Sequence, residues 1–69
     1  MLWAVSVYER WDDGSWDFVG YVKVFRKEDA ALDFAYSGTE GAFHAVYYRV
    51  EAMTEVQVRA GGIEDLIES

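Results

Sequence analysis

From residue 3 to residue 11, apolar side chains recur at alternate positions as Trp3, Val5, Val7 and Trp11, interrupted only by Glu9. Ala4, Ser6, Tyr8 and Arg10 fill the positions between them. Period two puts successive side chains on opposite faces of a strand and predicts one buried face. Asp12-Asp13-Gly14-Ser15 follows, and Asp-Gly is a hairpin signal because glycine accepts a positive φ. Alternation resumes over residues 16 to 25. Trp16, Phe18, Val22 and Val24 share one face, and Val19, Tyr21, Lys23 and Phe25 share the other. Gly20 inside this run marks a bulge or a close backbone approach.

The pattern then changes to a helical one. Residues 27 to 36 begin with acids, which suit the positive end of a helix dipole, and Ala31, Leu32, Phe34 and Ala35 form an apolar stripe. The small alanines let the helix lie close on a sheet, and Ser37-Gly38 predicts its end. Residues 39 to 42 read as a loop. Residues 43 to 53 read as a strand with His44, Val46, Tyr48 and Val50 on one face and Phe43, Ala45, Tyr47, Arg49 and Glu51 on the other. Glu55-Val56-Gln57-Val58-Arg59 alternates again and predicts an edge strand with one charged face. After Gly61-Gly62, Ile63, Leu66 and Ile67 predict a short helical turn that must dock or fray. The expected fold is one α+β domain over residues 1–69: a small antiparallel sheet in β-β-α-β-β order, one helix packed on one face, and a short C-terminal helical turn.

One helix covers only one face of such a sheet. The expected core face holds Val5, Val7, Phe18, Val22, Val46, Tyr48, Val50, Val56 and Val58. The face left over carries Tyr8, Val19, Tyr21, Phe25, Phe43, Ala45 and Tyr47, interleaved with Arg10, Lys23 and Arg49. That surface is too apolar to meet only water, and its aromatic and Arg content is that of interface cores. Four coverings fit it: the chain's own C-terminal segment, a second copy packed sheet to sheet, another protein, or stacked nucleic-acid bases. The expected contact residues are Tyr8, Val19, Tyr21, Phe25, Tyr47 and Arg49.

Composition narrows the choice. Hydrophobic residues make up 52% of the 69 positions, so the chain is no disordered acidic tail. A chain of this length buries only ~60% of its unfolded surface, and it has no cysteine, which removes disulfides and thiolate metal sites. Six Lys+Arg against 13 Asp+Glu give a net charge of −7. That sign opposes direct binding of nucleic acid or of anionic lipid. No apolar run approaches the ~20 residues of a membrane span. The N-terminal Met1-Leu2-Trp3 has no basic leader, so no secretion signal is expected and the predicted location is cytoplasmic.

Candidate chemistry is sparse. His44 is the one histidine, and no serine stands in a nucleophile pattern beside it. A small enzyme using His44 with a carboxylate is the least favoured alternative. Zinc needs three or four ligands, which the chain does not group. Aligning Gly14 with the glycine of a calcium loop puts Trp11 and Gly20 at ligand positions, so that motif fails. The strand-to-helix junction at residues 25 to 28 has no glycine for a phosphate loop. No catalytic residue, metal or cofactor is expected.

The acids fall in groups: Glu9, Asp12, Asp13 and Asp17 near the hairpin tip; Glu28, Asp29 and Asp33; and Glu64, Asp65 and Glu68. Solubility explains such charge in most small proteins. The sharper reading makes the first group an acidic rim that enters a basic, nucleic-acid-binding groove of a partner, as a nucleic-acid mimic. Asp12-Asp13-Gly14-Ser15-Trp16 between two strands, followed by Lys27-Glu28-Asp29-Ala30-Ala31-Leu32, resembles HicB-type antitoxin domains over about the first half of the chain. The Leu-Pro-Gly segment of those domains is missing, and no function is carried over. Size and layout also resemble the short reading frames of phages and mobile elements. The expectation is a non-enzymatic accessory or inhibitory protein that binds a host protein, with a homodimer through the aromatic face as the rival.

Overall fold

The computed structural model describes residues 1–41 and 45–68. The order is β1 (Leu2–Arg10), β2 (Trp16–Phe25), α1 (Glu28–Glu40), β3 (Val46–Met53), α2 (Glu55–Ala60) and a 3-10 turn (Glu64–Leu66). The strands form one antiparallel sheet in the spatial order β2-β1-β3. The α+β class, the hairpin, the main helix and the C-terminal turn therefore stand as expected. Phe43 and His44, expected in the third strand, lie outside the described residues, as does Ser69.

The hairpin closes as its composition requires. The Trp11 N–H donates to the Ser15 carbonyl at 2.8 Å and the Gly14 N–H to the Trp11 carbonyl at 2.9 Å. Gly14 takes φ +89°, a conformation that a side chain would strain. Asp13 accepts from the Ser15 backbone at 2.9 Å and from its hydroxyl at 2.6 Å, which holds its carboxyl below the usual range.

Alternation misled at residues 55–59. They form a helix, with the N-terminal side chains in a capping box. The Gln57 N–H donates to Thr54 Oγ1 at 3.1 Å, and the Thr54 N–H donates to Gln57 Oε1 at 2.8 Å. Two orphan donors of the first turn are thus satisfied locally. Glu55 and Arg59 add an exposed pair at 3.1 Å across one turn. At the far end the Ile63 N–H reaches the Val58 carbonyl at 3.2 Å and the Gly62 N–H reaches Arg59 at 3.0 Å, with Gly62 at φ +69°. This Schellman arrangement turns the chain back and sets Ile63 against Val58. The expected edge strand and its charged face do not exist, and Val56 is exposed rather than core.

α1 also outruns its expected stop. It continues through Ser37-Gly38 to Glu40 and is capped at Gly41. Gly38 serves packing instead. A Cβ there would stand 2.8 Å from the ring of Tyr48.

The core is split by the sheet. On one side Val5 and Phe25 pack under Ala31 and Ala35 of α1, with Trp3, Tyr48 and Val50 around them. On the other side Leu2, Ala4 and Val24 pack under Val58, with Met53, Ile63, Leu66 and Ile67. The last residues also pair with the edge of β2, where the Glu68 N–H donates to the Val24 carbonyl at 2.9 Å. The C-terminal segment therefore covers part of the second face, at the end of the sheet that holds Leu2 and Val24.

Candidate functional site

The uncovered part of that second face is the candidate site. β1 is regular against β3, so its even positions all point to this side: Leu2 and Ala4 under the C-terminal segment, then Ser6, Tyr8 and Arg10 beyond it. Opposite them on β3 stand Arg49 beside Ser6 and Tyr47 beside Tyr8.

β2 reaches this face by a route the alternation did not reveal. Its pairing with β1 shifts between Val5 and Ser6, and again between Val7 and Tyr8. Val22 and Val19 are left without partners, as extra residues in a bulged strand. Each extra residue reverses which parity faces which side. Phe25 and Lys23 therefore belong to the α1 side, Tyr21 crosses to the other, and Phe18 and Trp16 join it there. This corrects the expected assignment. Phe25 is core, 6% exposed and packed under α1, and Lys23 sits 5.9 Å over its ring. Val19 is exposed at its bulge, outside the ring cluster, and Val22 is exposed at the other. Phe18, expected in the core, is 47% exposed on the contact face, and Trp16 is 45% exposed beside it.

The rings form one connected cluster. Tyr8 and Tyr47 stack at 5.1 Å with 10° between planes. Trp16 meets Tyr47 edge-on at 4.8 Å, Phe18 meets Tyr8 edge-on at 5.5 Å, and Phe18 meets Tyr21 at 5.3 Å. These are favourable quadrupole geometries and hold the patch in one shape. Arg49 Nη1 donates to the Tyr8 hydroxyl at 3.4 Å. Tyr21 donates to Glu51 Oε1 at 2.7 Å.

The Glu51 carboxylate stabilises the protonated phenol, and together with burial it pushes the Tyr21 pKa up to about 12. A raised pKa means that the unfolded chain loses this proton first. Stability is thus fully present below about pH 10, the ordinary tyrosine value, and falls as pH rises towards 12. Absorbance titration of phenolate should show one tyrosine ionising late, and Glu51→Gln should bring it back to the others. A Tyr21 that titrates with the rest in the wild-type chain would contradict the hydrogen bond.

The expected acidic rim does not assemble around these rings. Asp12 and Asp13 lie in the exposed hairpin turn. Glu9 and Asp17 are partners across the hairpin at the parity of Val5 and Val7, which is the α1 side. α1 adds Glu28, Asp29, Asp33 and Glu40, all exposed, with no basic residue in the helix. Charge is therefore segregated. Among the described residues the ring face carries Arg10, Arg49 and the engaged Glu51, while acids concentrate on the α1 side, in the hairpin turn and near the C-terminus.

Elsewhere the surface is shallow. An open groove of about 450 Å³ lies between the Val22–Lys23 bulge and Asp65–Glu68, lined by Val22, Leu66 and Ile67 together with the charged Lys23, Asp65 and Glu68. Among the described residues no three His, Asp or Glu side chains come together as metal ligands, and no helix is long and apolar enough to cross a membrane. No family model matches the chain, and comparisons with curated proteins and with solved structures return no match.

Proposed function

We propose that this protein is a non-enzymatic protein-binding module whose contact surface is the aromatic end of the sheet. One observation carries the reading. Tyr8, Trp16, Phe18, Tyr21 and Tyr47 form a locked ring cluster on a face that the C-terminal segment leaves uncovered. Aromatic anchors flanked by arginine are what interface hot spots are made of, and a contiguous patch of this kind on a small protein is an interaction site. The contact residues are Tyr8, Trp16, Phe18, Tyr21, Tyr47 and Arg49. The role is that of an accessory or inhibitory protein, of phage or mobile-element type, acting in the host cytoplasm on a host protein.

The segregation of charge favours a second surface for any basic partner. A partner with a basic nucleic-acid-binding groove would be repelled by Arg10 and Arg49 and attracted to the α1 side, where Glu9, Asp17, Asp29 and Asp33 lie. Such an encounter weakens with salt. Direct nucleic-acid or membrane binding forms no part of the reading.

Phe18→Glu combined with Tyr47→Glu tests the ring face. Both side chains leave the core clusters intact. Association of the wild-type protein, with itself or with another protein, should weaken by about a hundredfold or more, as for loss of two hot-spot residues. Far-UV circular dichroism should stay unchanged. Association that survives the double substitution would remove this face from the interface.

A further inference from the structure

We infer that the bond between Asp13 and Gly14 is a latent isoaspartate modification site, held closed by Ser15 and opened when the hairpin tip frays. The inference is independent of what the ring face binds.

The chain offers this chemistry in one place. It has no asparagine, and of Asp12, Asp13, Asp17, Asp29, Asp33 and Asp65 only Asp13 precedes a glycine. Glycine has no Cβ to hinder the approach of the preceding carboxyl carbon to its nitrogen. Asp13, Gly14 and Ser15 are all exposed, and even a Cβ built on Gly14 would meet no atom nearer than 4.0 Å. A moving carboxyl and an incoming water therefore find open space.

The reaction needs no partner but water. The Gly14 nitrogen attacks Asp13 Cγ and forms a new N–C bond, closing a five-membered succinimide. The nitrogen gives up its proton and the protonated carboxyl its hydroxyl, which leave together as one water molecule. Water then adds back to the ring. Breaking the bond from nitrogen to the former side-chain carbon restores aspartate. Breaking the bond from nitrogen to the Asp13 main-chain carbon leaves isoaspartate, with the chain now running through the side chain. Nothing is oxidised, and the mass returns to its starting value.

In the closed hairpin both reacting groups are engaged. The Gly14 N–H donates to the Trp11 carbonyl at 2.9 Å, which holds the nucleophile in the turn. Asp13 Oδ1 accepts from the Ser15 N–H at 2.9 Å and from the Ser15 hydroxyl at 2.6 Å, which turns the carboxyl towards Ser15. These bonds favour the ionised carboxylate, whereas the protonated form is the one that releases hydroxyl. The Trp11 N–H closes the loop on the Ser15 carbonyl at 2.8 Å. All these bonds sit at an exposed tip, where local opening costs less than global unfolding.

The product carries one more backbone carbon between Trp11 and Ser15. The Arg10–Trp16 pair directly beyond the loop then loses its register, and with it the edge-on contact of Trp16 with Tyr47. A change at the tip thereby reaches the ring face.

The test follows isoaspartate at residue 13 by peptide mapping with electron-transfer fragmentation. Full-length wild type, Ser15→Ala, Ser15→Thr and Val50→Ala are aged at physiological temperature and neutral pH, with wild type unfolded in urea as reference. Folded wild type should react about tenfold or more slowly than the unfolded chain. Ser15→Ala, with unchanged circular dichroism, should react about threefold or more faster than folded wild type, the worth of one hydrogen bond. Ser15→Thr keeps the hydroxyl and should stay near the wild-type rate. Val50→Ala loosens the core under α1, away from the tip, and should also stay near it. Ser15→Ala at or below the wild-type rate overturns the inference. So does a wild type that reacts as fast folded as unfolded, or a Val50→Ala chain that matches Ser15→Ala, since general loosening would then govern the rate. In the isolated isoaspartyl chain, nuclear Overhauser effects between the Trp16 and Tyr47 rings should vanish; their persistence overturns the link to the ring face.

Discussion

Val58→Asp is expected to unfold the protein at room temperature, whereas Val56→Asp, two positions earlier, should change stability by no more than about 0.5 kcal/mol. Val58 is fully buried and Val56 is 74% exposed. The Val58 side chain is the contact through which α2 seals Leu2, Ala4 and Val24. An aspartate there would be an uncompensated charge between the sheet and the last helix, at a cost of about 4 kcal/mol or more. A domain this small has little more than ~5 kcal/mol in total. The loss would also uncover the rest of the second face and join it to the ring cluster, so the variant should aggregate as well as unfold. Urea titration followed by circular dichroism reads both substitutions. Equal effects would mean that the two valines share a face, as in a strand, and would contradict the helix.

Gly38→Ala should destabilise the protein, against the usual direction. Alanine in place of glycine inside a helix normally gains about 1 kcal/mol. Here the new methyl would stand 2.8 to 2.9 Å from three ring carbons of Tyr48. Tyr48 packs against Phe34 at 6.0 Å and belongs to the cluster under α1, so it has little room to retreat. Overpacking of this kind costs ~1–3 kcal/mol, so after the helix-propensity gain a net loss of up to about 2 kcal/mol is expected. In a Tyr48→Ala background the clash disappears, and Gly38→Ala should become stabilising by roughly 0.5–1 kcal/mol. That reversal of sign, read from a double-mutant cycle of urea midpoints, is specific to the close approach. A stabilising Gly38→Ala in the wild type would show that α1 does not lie this near β3. The contact also bears on the site, because Tyr48 and Tyr47 are neighbours on opposite faces of one strand. Lifting α1 would shift the strand that presents Tyr47 and Arg49.

The hairpin was legible because its signals are local. Asp-Gly turn chemistry and alternation in β1 both act within a few residues, and β1 stays in register with β3 along its length. The main helix was legible for the same reason, though not its end. Gly38 reads as a stop by propensity, but its missing side chain is used for approach to Tyr48. The second helix had a signal that alternation outweighed. Thr54 and Gln57 stand at capping-box spacing, and Gly61-Gly62 supplies the Schellman turn. A five-residue alternation is too short to decide against that pair.

Tyr8, Tyr21, Tyr47 and Arg49 could be placed on the contact face from the sequence. Trp16, Phe18 and Phe25 could not. Their sides depend on extra residues at Val19 and Val22, and a bulge is defined only by the strand it fails to match. Gly20 pointed towards the first of these; nothing local pointed to the second.

By itself, then, the sequence determined the α+β class, the hairpin, the existence of one alanine-faced helix and the presence of more aromatic surface than one helix can cover. Each follows from periodicity, turn chemistry or counting, which need no knowledge of distant neighbours. Only the tertiary structure decided which rings stand together, that Glu9 and Asp17 lie on the side away from them, and that the last segment covers one half of the second face and leaves the other. Those outcomes depend on strand register and on the finite area of a docked helix, both set by contacts between residues far apart in the chain.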